Sequence, residues 1–264
     1  MLRLGLFLAL LTLLGIAEWF WPRHLAAPLR PKRWPVNLGF GAINTLCLRL
    51  LLPWLAVDAA LWSQAHHLGV LPLLHLPPLP AAMIAFVLLD LLMYVQHRVM
   101  HRIPFLWRLH RVHHTDVALD VSSGVRFHPL EILLSMALKI GSVLLLGATP
   151  AVVMVFEIVL SSFSLFTHAN LDLPIGLDHW VRRVFVTPDM HRIHHSVLRD
   201  EHDTNFGFHV SWWDRMFGSF RNDPKAQQTL MTLGLEEFRS PAEQRLPSLM
   251  RQPLHAVKQP VVVA

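Results

Sequence analysis

Apolar runs long enough to cross a bilayer constrain this chain more than any other feature. Hydrophobic residues make up 53% of it and charged residues only 16%, against about 25% charged in soluble domains. A helix needs roughly 20 residues to span the hydrocarbon layer. Five stretches are read as spans: residues 2–20, 37–55, 79–96, 132–146 and 151–166. The first is read as a retained anchor, not a signal peptide. Its end, Glu18-Trp19-Phe20-Trp21-Pro22, has interfacial aromatics in place of a small-residue cleavage site. Gly147-Ala148-Thr149-Pro150 is a short uncharged turn, so the last two spans form a helical hairpin.

Basic residues set the direction. Arg23, Arg30, Lys32 and Arg33 follow the first span, Arg98 to Arg126 follow the third, and a further series runs through the tail after the fifth. Residues 50–97 contain no Lys or Arg. With five spans, all the basic segments share one face, which the positive-inside rule assigns to the cytoplasm. The formal charge of +5 is thereby accounted for without nucleic acid. One cysteine, Cys47, excludes an internal disulfide and a thiolate-built iron–sulfur or zinc site.

The 18 histidines cluster. His97 and His101 are four apart and share a helix face. His110, His113 and His114 form H-x-x-H-H, and His191, His194 and His195 repeat it. Neutral imidazole suits zinc, copper, iron or nickel. A single zinc site uses three or four ligands, so eight imidazoles argue for two metals. The clusters fall on the basic face only if the number of spans is odd. The expected fold is all-α: an integral membrane helical bundle of about five spans, with a cytoplasmic helical cap carrying a histidine-rich dimetal site.

The order H-x-x-x-H, H-x-x-H-H and a distant H-x-x-H-H after membrane spans resembles the fatty acid hydroxylase / sterol desaturase superfamily of membrane di-iron oxygenases. Further matches are Asp90 and Tyr94, Arg126-Phe127-His128-Pro129-Leu130-Glu131, Thr187-Pro188, Asn205-Phe206-Gly207 and Trp213-Asp214-Arg215-Met216-Phe217-Gly218. The resemblance covers roughly residues 79–220. It implies that the eight histidines are metal ligands, with His168 at the place of a ninth. It implies two iron ions, with zinc substituting on overexpression, and O2 as co-substrate. The implied activity is hydroxylation or desaturation of a lipid or sterol-like substrate, with ether-lipid monooxygenation an alternative within the same chemistry. Residues 1–78 are then anchor spans, 79–220 the catalytic domain and 221–264 a peripheral tail.

Other residues are candidates for supporting the site. Asp90, Tyr94, His97 and His101 form one helical stripe, and an ionisable residue in a span is a functional candidate. Asp90 either orients a ligand histidine or makes a helix–helix contact. Folding the hairpin about Thr149 puts Lys139 at the depth of Glu157, as a neutralising pair, and Glu131 near His168. His128 is either a donor behind a ligand or a cap before the fourth span. Ser211-Trp212-Trp213 reads as an interfacial anchor or packing patch, or as the lining of a lipid entry path.

No G-x-G-x-x-G, cysteine set or fused haem domain is evident in the sequence. Electrons for an oxygenase would come from an external ferredoxin- or cytochrome-type donor with its reductase. The substrate would enter from the membrane. The oligomeric state is not readable. Two rivals remain: a zinc-dependent membrane hydrolase, which needs fewer imidazoles, and a non-catalytic metal-binding or transport protein, which would place ligands nearer the bilayer midplane.

Overall fold

The computed structural model describes residues 2–24 and 30–256. Every regular element among them is helical, and β-type pairing is limited to isolated bridges such as Pro22 with Leu171. Helices α1 (Leu2–Phe20) and α2 (Arg30–Leu51) run first. Helix α3 (Ala56–Ala65) and the single turn α4 (Val70–Leu73) follow at the end of the bundle away from the histidines. Helix α5 (Pro78–Arg102) returns, α6 (Pro104–His114) folds back, and α7 (Pro129–Leu146) and α8 (Pro150–His168) form the expected hairpin. Among the described residues, five stretches are long and apolar enough to cross a membrane, α2 to α4 counting as one. Leu4, Leu13, Leu46, Leu50 and Leu145 point outward, as lipid-facing positions of a membrane bundle do. The chain is a multi-pass membrane protein.

The third span runs past its expected end. Helix α5 continues to Arg102, so His97 and His101 stand on the same helix as the apolar span. It stops because Ile103 precedes Pro104 and is held extended at φ −92°, ψ 117°. Pro104 then opens α6 at its first position. Two histidine-bearing helices are thus joined by a single non-helical residue. In the hairpin, Gly147 takes a left-handed conformation at φ +68°, and Thr149 caps α8 through Val152 N. A Cβ on Gly147 would sit 2.5 Å from Leu68 O, and one on Gly69 would sit 2.2 Å from Gly147 N. These two backbones approach closely because both residues are glycine.

The membrane core lies between α3, α5, α7 and α8. Ala56, Ala59 and Ala60 put small residues on one face of α3 and pack with Leu89, Val143, Val153 and Phe156, a close-approach pattern of helices in lipid. The expected Lys139–Glu157 pair forms at 3.1 Å, and Arg3 joins Glu157 at 2.5 Å. At the other end Glu18 accepts the backbone N–H groups of Val121 and Asn170 and pairs with Arg30. Helices α1 and α8 therefore run the same way, and both end at the histidine side.

Short helices α9 (Ile175–Val181), α10 (Pro188–His194), α11 (Arg199–His202) and α12 (Trp212–Met216) build the cap. The expected peripheral tail is not what residues 228–256 form. Leu249, on α13 (Leu246–Arg251), is fully buried against Phe40 and Val112. Met231 and Leu233 pack on Leu119 and Ile193. Arg111 donates to the carbonyls of Gln252 and His255, each at 2.6 Å. Single apolar residues in a polar stretch carry no periodicity, so their burial left no local signal. Residues 257–264 of that expected tail lie outside the described residues.

Candidate metal centre

The structure brings all nine histidines together in two buried groups. His97, His101, His110, His114 and His194 form one, and His113, His168, His191 and His195 the other; within each group the ligating atoms lie within 4.8 Å of one another. Each H-x-x-H-H is divided between the groups. His110 and His114 join the first while His113 joins the second; His191 and His195 join the second while His194 joins the first. At 3.6 residues per turn, i+4 lies about 40° ahead of i and i+3 about 60° behind it. The spacing therefore sends the outer two imidazoles one way and the middle one the other.

Hydrogen bonds fix which nitrogen faces inward. Nδ1–H is donated to a backbone carbonyl by His97 (Phe206, 2.8 Å), His113 (Arg126, 3.2 Å), His168 (Ser164, 2.6 Å) and His194 (Thr204, 2.7 Å). His110 donates to Glu131 Oε1 at 2.7 Å and His101 to Asp203 Oδ1 at 3.2 Å. A carbonyl can only accept, so Nδ1 must carry the proton and Nε2 is left as a lone pair. The Nε2 atoms of His97, His110 and His194 have no partner among the described residues. Two face each other bare: His168 Nε2 lies 3.0 Å from His113 Nε2. Lone pairs opposed at this distance repel unless a cation stands between them. Two nitrogens on one metal, each about 2.0–2.1 Å from it, lie roughly 3 Å apart when at right angles. The donor set fits metal ions. Burial also pushes the imidazoles of His113, His114, His191, His194 and His195 well below their ordinary 6.5. They are neutral at physiological pH, which is the ligand form.

Of the three supporting candidates, Glu131 stands elsewhere than expected, and Asp90 and His128 each take the second of their two expected roles. Glu131 touches His110, not His168, whose Nδ1 is held by Ser164 within its own helix. Asp90 meets none of the nine; it accepts Trp213 Nε1 at 2.8 Å and pairs with His209 Nδ1 at 2.5 Å, so it joins α5 to the cap. His128 caps α7 through Leu130 N, and its Nε2 meets Met250 O. It is a cap, not a donor behind a ligand. Trp213 is accordingly a packing residue, while Trp212 is 48% exposed.

Sequence reasoning missed the braces behind the carbonyls. Asp214 accepts Phe206 N, Gly207 N and Ser219 Oγ at 2.7–2.9 Å. It thereby holds the loop whose Phe206 carbonyl orients His97. Burial pushes its carboxyl up to about 6. Asn205, left-handed at φ +54°, ties the same loop to Met190 O and Arg221 O. Asp203 and its bond to His101 left no sequence signal. Neither did the buried cluster in which Arg33 pairs with Asp116 (2.7 Å) and Asp120 (2.5 Å).

The family model for fatty acid hydroxylases matches residues 82–219, just over half of the chain. The chain belongs to the fatty acid hydroxylase family. The matched region runs from α5 to the cap and contains all nine histidines. Curated relatives agree in kind. An ornithine lipid hydroxylase of Rhizobium tropici is 37% identical over 52% of this chain and 40% of its own length. An alkylglycerol monooxygenase of Caenorhabditis elegans is 30% identical over 50% of this chain and 25% of its own length. A cholesterol 25-hydroxylase of Rattus norvegicus is 24% identical over 67% of this chain and 57% of its own length. The chain thus spans well under two thirds of these fatty acid hydroxylase relatives. No solved structure matches it.

Proposed function

We propose that this chain is an O2-dependent di-iron membrane oxidoreductase that hydroxylates, or desaturates, a lipid or sterol-like substrate. The observation that carries the reading is the pair of buried imidazole groups in which the outer nitrogens of His97, His101, His110, His113, His168 and His194 are tied to carbonyls or carboxylates, which leaves their inner nitrogens as lone pairs. His97, His101, His110, His114 and His194 would hold one iron, and His113, His168, His191 and His195 the other. Bound iron supplies the redox activation of O2 that no side chain has. The chain's own residues do the rest. Glu131 and Asp203 keep a proton on the outer nitrogens of His110 and His101 and so keep the inner ones available. Phe127, stacked on His113 at 4.3 Å between ring centroids, and Phe206, edge-on to His97, keep water from the cluster.

The relatives are named for acting on ornithine lipid, alkylglycerol and cholesterol, and a membrane lipid is the substrate class proposed here. Ether-lipid monooxygenation is the alternative outcome of the same chemistry, favoured by the alkylglycerol monooxygenase match. Electrons come from an external ferredoxin- or cytochrome-type donor with its reductase. The histidine groups face the cytoplasm, where the basic segments lie. Metal analysis of protein from its own source should give iron. Lipid profiles of cells with and without the protein should differ by one oxygen or two hydrogens. One zinc per chain, with no reductant-dependent O2 uptake on any lipid pool, would overturn the proposal.

A further inference from the structure

Part of the cap lies deeper than the histidines. Trp213 and His209 both meet Asp90, which precedes His97 by seven residues on α5, about 10 Å along the helix axis. The His209 ring packs against Phe86, Phe156 and Phe163. Phe156 precedes His168 by twelve residues on α8, about 18 Å along the axis. Phe208 packs against the membrane core between α3, α5, α7 and α8. These partners stand on the apolar helices that cross the bilayer, so the residues that touch them share their depth.

The water edge lies beyond that level. On α5, Leu88, Val95, Val99 and Ile103 share one outward face and are all exposed, so the lipid-facing surface continues past His97. On α1, the exposed Trp19, Phe20 and Trp21 mark the interface. Trp21 O accepts Asp172 N, four residues after His168.

The outer side of residues 206–217 suits hydrocarbon. Trp212 and Met216, four apart on α12, share an outward face, and Met216 is 68% exposed. Phe217 is exposed and stacks on Tyr94 of α5. Phe185, bridged to Val210, packs on Phe163 and is still 42% exposed. Arg215 is the one exposed charge between 206 and 217. Its guanidinium covers the Phe220 ring at 3.7 Å and donates to Arg182 O at 3.2 Å. Non-helical backbone is tolerated at membrane depth where its polar groups are paired inside the protein. The N–H groups of Phe206 and Gly207 go to Asp214, that of Ser211 to Val184 O and that of Phe217 to Trp213 O.

We propose that residues 206–217 form a re-entrant membrane segment, which dips to the level of Asp90 and returns without crossing, with Phe185, Trp212, Met216 and Phe217 against lipid. The cap is then seated in the bilayer and continues the lipid-facing surface of α5. The segment stands between lipid and the first histidine group, since Phe206 O holds His97 and Phe208 lies 5.1 Å from it between ring centroids.

The test uses the full chain in phosphatidylcholine nanodiscs, in a Cys47→Ser background. Phe185→Cys and Met216→Cys variants carry a thiol-linked fluorophore, quenched in parallel by lipids with a nitroxide on the acyl chain and by aqueous iodide. Met83→Cys, exposed on α5, and Ala226→Cys, exposed in the cap, are the lipid and water references. Both test sites should follow Met83→Cys, with the lipid nitroxide quenching severalfold more than iodide, and Ala226→Cys should show the reverse. Either test site quenched as Ala226→Cys is, or shielded from both quenchers as burial against a second copy of the chain would leave it, would overturn the proposal. The readout is independent of which metal is bound and of whether the chain oxidises lipid.

Discussion

An imidazole offers a metal one lone pair, and the partner of its other nitrogen decides which one. The eight motif histidines were readable because their spacing on helices is a local property; the ninth, His168, was implied by the family resemblance. Their partners were not. Matching depths along the α7–α8 hairpin brought Glu131 level with His168, but depth says nothing about azimuth, and Glu131 turns to α6 and meets His110. Asp90 shares a stripe with His97, yet the cap supplies Trp213 and His209 to it first. These placements separate three substitutions. Glu131→Gln should lower metal affinity about 10–100-fold, read as metal retained after dialysis against a weak chelator. Asp90→Asn should leave metal content intact and weaken the docking of the cap, seen as faster proteolysis between residues 203 and 220. His128→Asn, which keeps a capping side chain, should change neither.

Local rules gave the elements and missed their close approaches. Periodicity and capping residues located α1, the α7–α8 hairpin and the turn at Gly147. The continuation of α5 past its apolar run was readable as the stripe from Asp90 to His101, while the burial of its polar last turns is supplied by the cap. Gly124 shows what such rules cannot see. A Cβ there would lie 2.4 Å from Ser164 O, the carbonyl that accepts His168 Nδ1–H. Gly124→Ala should therefore displace His168, with loss of metal from the second group and about 1–3 kcal/mol of stability. Gly69→Ala meets the backbone of Gly147 at the opposite end. It should lower the melting temperature comparably while metal per folded chain stays at the wild-type level. Metal content measured on the folded fraction of both variants distinguishes the two ends.

At the scale of the molecule, a buried ionic cluster joins α2 to the segment between α6 and α7. Arg33, 5% exposed, is held by Asp116 and Asp120, both fully buried. Arg33→Met would leave two carboxylates unpaired, a change that costs about 3–5 kcal/mol when a buried pair is broken, so the detergent-solubilised protein should melt far earlier. The odd number of crossings also makes a topological claim. In a Cys47→Ser background, an impermeant thiol reagent on intact cells should label Gln64→Cys, on α3, and not Ala226→Cys, in the cap; the reverse would invert the orientation. The sequence by itself determined the helical membrane class and the eight imidazoles of the three motifs, because hydropathy and helical spacing act over a few residues; His168 came from the family resemblance. Only the tertiary structure decided how those imidazoles divide into two groups and which carboxylate or carbonyl holds six of them. It also decided that Met231, Leu233 and Leu249 of the tail are buried against the rest of the molecule. Each of those depends on the azimuth and close approach of helices far apart in the chain, which no local pattern encodes.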